Sequence, residues 1–159
     1  LGKALVRRDT KMDKRLVPTW WLLKISLGLA PLIAGLDKFF NVLTNWTDYL
    51  NPAALQYVPV DAETFMRIVG IVEIIVGLAI LTRWTRLGAY VAALWLVAIA
   101  INLVSMQKYY DIAVRDVLLA VSAFTLARLT AVRTAELAEF DTDARRPEPS
   151  PGGILTLKL

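Results

Sequence analysis

The sequence predicts an all-α integral membrane protein, a bundle of four transmembrane helices with both termini cytoplasmic. Four apolar stretches, at about 19–40, 62–81, 87–106 and 112–132, divide the chain. A hydrocarbon core of about 30 Å needs about 20 helical residues, so each stretch is long enough to cross. Lipid offers the backbone no hydrogen-bond partner, so each span must be helical. The hydrophobic fraction is 57% and the mean hydropathy +0.52, above the ~45–50% apolar usage of soluble domains. The third observation is where Lys and Arg fall. Lys3, Arg7, Arg8, Lys11, Lys14 and Arg15 precede the first span, Arg83 and Arg86 join the second to the third, and Arg133, Arg145, Arg146 and Lys158 follow the fourth. The first connection has neither residue and the third only Lys108, so the positive-inside rule puts both termini in the cytoplasm.

The expected organisation is a basic cytoplasmic segment at 1–18, a four-helix membrane domain at 19–132 and a polar cytoplasmic tail at 133–159. This length leaves no room for a soluble catalytic domain. The N-terminal segment alternates basic and apolar residues and reads as an interfacial helix or a disordered basic lead. The first span exceeds a signal-peptide core, and no small-residue cleavage site follows it before Asp37 and Lys38, so it reads as a retained helix. Pro18 suits its first turn. Trp20 and Trp21 belong at headgroup level, and Lys24 can snorkel to the cytoplasmic surface. Gly28 and Gly35 share a face that lets another helix approach closely. Pro31 between them should kink the span.

The first connection, with Trp46, Tyr49 and Tyr57 among polar groups, reads as a cap on the outer surface. It should hold a short helix that starts at Thr44 or Asn45 and breaks at Pro52. In span two, Gly70 and Gly77 lie at i−3 and i+4 from Glu73, on one face. The short turn from Thr82 to Arg86 makes spans two and three antiparallel neighbours. Span three is apolar until Asn102. In span four, Asp116, Ala120, Ala123 and Ala127 form a small-residue stripe that should face the bundle. Adjacent helical residues diverge by about 100°, so Arg115 should turn toward Asp111 or another helix's acid, and Asp116 is a candidate partner for Arg67. Beyond Arg133 the run AELAEF is expected to prolong span four. RRPEPSPGG should be an extended linker, and Ile154–Leu159 could dock as a strand.

This topology sends polar groups from all four spans to the outer half of the bundle. The candidate site is Asp37, Lys38, Arg67, Glu73, Asn102, Asp111, Arg115 and Asp116. Intramembrane charge costs ~2.5–3.5 kcal/mol per residue on insertion scales and usually serves function. One reading is a pocket for a polar headgroup, an anion or a quinone ring, with Glu73 as proton acceptor. The other is a salt-bridge network that ties the helices together. With Lys108 included, four acids face four bases, and that balance favours pairing. Glu73, the deepest group, fits either reading.

There is no cysteine and no histidine. Disulfides, thiolate metal sites, iron–sulfur clusters and His-ligated haem in this chain are thereby excluded, as is the usual proton shuttle. Redox chemistry would have to come from a partner chain or a bound ligand. The net charge of +4 is explained by the positive-inside segments and requires no nucleic acid.

Three runs, Gly35-Leu-Asp-Lys-Phe, Gly70-Ile-Val-Glu-Ile-Ile-Val-Gly77 and Asp111-Ile-Ala-Val-Arg-Asp116, resemble in order and membrane placement the DoxX family of bacterial four-helix membrane proteins, over about residues 19–130. Members often carry a His where this chain has Tyr110. The resemblance implies the bacterial inner membrane and a neighbourhood of membrane redox systems, since the family is named for a link to thiosulfate:quinone oxidoreductase subunits. The expected function is a non-catalytic integral subunit of a larger membrane complex, respiratory, photosynthetic or otherwise quinone-linked. Its expected partners are membrane lipids and other membrane subunits. No metal-bound or covalent cofactor is expected, and quinone or lipid is the candidate ligand. One alternative is a subunit handling a quinone or a small sulfur anion, with Arg67 and Arg115 binding the oxyanion. Another is a small transporter or lipid-binding protein, ranked last because the inner half of the bundle is almost wholly apolar.

Overall fold

A computed structural model describes residues 14–56 and 59–145. The N-terminal segment to residue 13, Tyr57, and everything from Arg146 on, including the expected linker and terminal strand, lie outside the described residues. The described chain is all helical. Four long helices follow in order: α1 Val17–Asp37, α2 Ala62–Leu81, α3 Thr85–Ser105 and α4 Tyr110–Ala144. Of these, α1, α2 and α3 are long and apolar enough to cross a membrane, which makes the chain a multi-pass membrane protein. The first three expected spans match α1, α2 and α3 within a few residues, and α4 covers the fourth apolar stretch and its expected prolongation as one continuous helix to Ala144.

Each boundary has a local cause. Pro18 occupies the first turn of α1, where its missing N–H costs nothing. The helix runs unbroken through Pro31 to Asp37. The turn that follows closes at Asn41, which takes a left-handed φ of 52°, a conformation Asn tolerates better than most residues. Asp61 caps α2 by accepting hydrogen bonds from the Thr64 backbone N–H and hydroxyl. Those bonds hold the Asp61 carboxyl below its ordinary pKa, so the cap is intact at neutral pH and is lost as pH falls through that lowered value. Thr85 closes the turn between α2 and α3, its hydroxyl donating to the Ile80 and Thr82 carbonyls. In the last connection Gln107 and Tyr109 also adopt positive φ. For an aromatic residue that backbone is costly, and the Tyr109 ring is held 4.8 Å from that of Tyr49.

The helices form two tight antiparallel pairs, α1 with α2 and α3 with α4, and the pairs meet along α2–α3 and α1–α4. Glycine sets the first pair. A Cβ on Gly35 would lie 2.5 Å from the Gly70 carbonyl oxygen, and one on Gly77 would lie 2.7 Å from that of Gly28. The shared faces expected from the sequence are this contact. Alanine sets the second pair: Ala89, Ala92 and Ala100 of α3 and Ala113, Ala120, Ala123 and Ala127 of α4 are all buried. The expected stripe headed by Asp116 therefore faces inward.

Connections 38–61 and 106–109 lie at one end, termed the loop end. The Thr82–Trp84 turn, the start of α1 and the extension of α4 lie at the other, the turn end. The connecting segment folds over the loop end as expected, although its helical content is a 3-10 turn at Trp46–Tyr49 and one turn at Pro52–Leu55. Pro52 starts a turn here instead of breaking one, since its fixed φ suits that position. Asn102 anchors the segment, donating to the Tyr49 carbonyl at 2.7 Å and accepting from the Asn51 N–H at 3.3 Å.

Two apolar clusters fill the interior. The larger, toward the turn end, includes Trp20, Leu27, Val76, Ile80, Ala92 and Leu126. The smaller, toward the loop end, is Ala100, Leu103 and Ala113. Trp20, expected at headgroup level, lies at the turn end but faces inward, only 6% exposed, with its indole N–H donating to the Thr130 hydroxyl at 2.8 Å. Trp21 and Trp84 do face outward.

The glycine contacts carry a prediction. Gly35→Ala and Gly77→Ala should each destabilise the bundle by about 1–3 kcal/mol, the range for overpacking a close contact, measured as loss of thermal stability in detergent. An unchanged melting temperature for both would show that the α1–α2 distance does not depend on these residues.

Candidate functional site: a buried polar layer

Between the two apolar clusters lies a layer of buried charge. Lys38, 4% exposed, follows α1 and extends its ammonium back into the bundle, where Nζ donates to Glu73 Oε2 at 2.5 Å. Gly70 leaves the space for it, since a Cβ there would lie 3.1 Å from Lys38 Cβ as well as against the Gly35 carbonyl. The indole of Trp46 covers the ammonium, with Nζ 3.7 Å from the ring centroid. Cation–π attraction of this kind is strongest when the cation is desolvated.

Asp37 holds the lid in place. It accepts from Trp46 Nε1 at 2.8 Å and from the N–H groups of Val42 and Leu43. Asp37 thus shapes the turn after α1, and the turn sets Trp46 over Lys38. On the other side of the layer, Asp116 of α4 is 5% exposed. Trp95 of α3 stands beside Glu73, but its buried Nε1 lies outside hydrogen-bonding geometry.

The structure divides the expected site residues into three groups. Asp37, Lys38, Glu73 and Asp116 come together. Asn102 is given over to anchoring the loop. Arg67, Asp111 and Arg115 face outward. The expected Asp116–Arg67 pair is absent because Arg67 turns to Glu63 of its own helix at 2.5 Å, one turn away in an exposed i,i+4 pair. Arg115 was expected to turn away from Asp116. Its flexible side chain instead curls back, with Nε 3.6 Å from Asp116 Oδ1, and no ion pair joins it to Asp111 among the described residues.

Sequence reasoning missed Trp46 and Trp95. The signal for Trp46 was its place in the segment that begins three residues after Lys38. For Trp95, helical period alone does not show that it stands level with Glu73. Lys24, expected to snorkel to the cytoplasmic surface, reaches to the turn end from inside the bundle. It is 8% exposed and donates to the Thr82 carbonyl at the end of α2, at 2.9 Å.

Chemically, the layer is charge-paired. Lys38 serves Glu73, Arg115 serves Asp116, and Asp37 is satisfied by N–H donors. No cluster of three or more acids is placed to hold a metal ion among the described residues. Comparison with protein-family models, with curated proteins and with solved structures gives no match.

Lys38→Met and Glu73→Gln should each destabilise the bundle by about 3–5 kcal/mol, because each leaves a buried partner uncompensated. The double variant should lose clearly less than the sum, as coupled neighbours do. Strict additivity would mean that the pair does not interact in the membrane. Arg67→Gln removes only an exposed pair, so it should leave the melting temperature nearly unchanged and add simply to Asp116→Asn.

Proposed function

We propose that the chain is a non-catalytic integral subunit of a larger membrane complex, built as a four-span bundle with both termini cytoplasmic. One observation carries this reading: the deep polar chemistry is used up inside the bundle, with the Lys38 ammonium enclosed by Glu73 and Trp46, while the outward faces are apolar. Ile25, Leu29 and Ile33 of α1, Ile71 and Ile75 of α2, and Leu94 and Ile101 of α3 all point outward. On α4, Val114, Val117, Leu118, Val121 and Phe124 do the same, which supports α4 as the fourth span. Such faces are solvated by lipid or by the helices of other chains. Arg83, Arg86 and Arg133 gather at the turn end, which supports a cytoplasmic placement for that end.

The motif resemblance to the DoxX family supports the bacterial inner membrane and a redox or quinone-linked complex. Gentle detergent extraction from the native membrane should recover the chain with other membrane subunits at fixed stoichiometry. Recovery as a monodisperse single species would overturn the reading. A cytoplasm-dependent reporter fused after Val132 should be active and one inserted near Asn51 silent. The opposite pattern would invert the topology.

A second reading, a subunit that handles a quinone, is favoured by the buried Trp95 N–H that stands beside Glu73. It is favoured also by an apolar groove of about 550 Å³ between α3 and α4, lined by Val97, Ile101, Tyr110 and Val114 among others, which suits an isoprenoid tail. Quinone binding should then weaken in Trp95→Phe. Equal binding by both proteins would remove this reading.

A further inference from the structure

The turn end holds a second cluster, which the bundle does not neutralise. Lys24 of α1 and Arg133 of α4 converge on one aromatic wall. Lys24 Nζ lies 5.0 Å from the ring centroid of Trp20 and 5.3 Å from that of Trp21. Arg133 Cζ lies 4.1 Å from Trp20 and 5.9 Å from Trp21. The two indoles stand edge to face, 5.0 Å apart, and Trp20 is pinned by its bond to Thr130.

Both cations lie within about 6 Å of the same two ring centroids, so like charge is brought together there. Ion pairs such as Lys38–Glu73, Arg67–Glu63, Arg115–Asp116 and Arg145–Asp141 hold other cations of the described residues, and no such pair among the described residues includes Lys24 or Arg133. Lys24 has the Thr82 carbonyl, a partial charge at the end of α2. Arg133, half-buried as a residue, rests on aromatic faces, and its Nη1 is buried with no hydrogen-bond partner. A buried guanidinium N–H without an acceptor is a costly arrangement, and a second cation beside it makes the local charge worse. The loop end shows how this chain treats a buried cation when nothing external is needed: Lys38 receives a carboxylate. Lys24 and Arg133 do not.

We infer that Lys24 and Arg133 form a binding site for a phosphate anion at the membrane surface, the phosphodiester of an anionic phospholipid. A guanidinium suits phosphate oxygens. Paired tryptophans suit the boundary between headgroup and acyl chain. Basic recesses between helices on the cytoplasmic side are where anionic headgroups bind. Trp21, 46% exposed, forms the open side of the site. A free phosphate has the same chemistry but gains nothing from the apolar flank of α1, where Leu22 and Ile25 point outward. The cytoplasmic leaflet follows from the topology proposed above, and the reporter fusions test that separately.

The test uses the full chain in mild detergent. Thermal stability is measured with added phosphatidylglycerol, phosphatidylcholine or inorganic phosphate, and native mass spectrometry counts retained lipid. Phosphatidylglycerol should raise the melting temperature more than phosphatidylcholine does, and one copy should survive delipidation that strips phosphatidylcholine. Arg133→Gln should weaken this selective binding at least about tenfold, the scale of one lost charge-assisted hydrogen bond. Arg133→Lys should restore part of it, and Arg83→Gln, outside the cluster, should leave it intact. A shift produced equally by inorganic phosphate would keep the anion site and overturn the lipid as its occupant. Equal response to the two lipids, or full selectivity in Arg133→Gln, would overturn the site itself. If Arg133→Gln does not fold, retention by the wild-type chain decides: no preferentially retained anionic lipid overturns the proposal.

Discussion

The Lys38–Glu73 pair is the constraint around which the rest of the bundle is arranged. Removing two charges from water costs several kcal/mol each even after relaxation, and only close geometry with further partners recovers it. Here the recovery is distributed over the fold. Glu73 comes from α2, the ammonium from the residue after α1, the covering indole from the first connection, and the space from Gly70. Asp37, adjacent to Lys38, takes no part in the pair. It binds the backbone of the turn and the Trp46 N–H, so it positions the cover instead of competing for the cation. Each of these residues has a use only if the others are placed, and this makes the loop end a single unit.

Small residues explain why the pair can form. Lys38 reaches Glu73 because α1 and α2 are in backbone contact at Gly35–Gly70 and Gly28–Gly77. Without water between helices, association in a bilayer depends on such close packing. The α3–α4 pair uses alanine for the same purpose, and it carries Trp95 and Asp116 to the level of Glu73. The polar layer thus lies where two independently packed helix pairs meet. The large side chains on either side of it, Ile80 and Leu103, are fully enclosed.

What the sequence revealed follows from what helical periodicity contains. A period near 3.6 identifies a face, so the glycine faces, the Asp116–Ala120–Ala123–Ala127 stripe and the inward position of Glu73 were legible. Span lengths were legible because bilayer thickness fixes them. Partner choice was not. Arg67 lies at an outer position facing several acids, and Glu63, one turn away, wins because it requires no burial of the guanidinium. Arg115 folds back on its neighbour because its flexible stem overrides the 100° between adjacent positions. Asn102 reads as an intramembrane polar group until the connecting segment is seen folded onto it. That Trp20 faces inward depends on Thr130, 110 residues later, which supplies its acceptor. Each miss is a long side chain or a tertiary contact that spacing along one helix does not encode.

The two ends of the bundle solve the same electrostatic problem differently. At the loop end a cation is held by a carboxylate and covered by one indole. At the turn end two cations are held by carbonyl and aromatic faces alone, with Arg133 Nη1 left without an acceptor. Aromatic faces attract a cation, by about 0.5–2 kcal/mol, but they do not cancel its charge. An internal carboxylate at the turn end would complete the bundle by itself and leave it indifferent to the surface it sits in. Omitting that carboxylate leaves the turn end dependent on an anion from outside, and a membrane surface supplies phosphate at high local concentration.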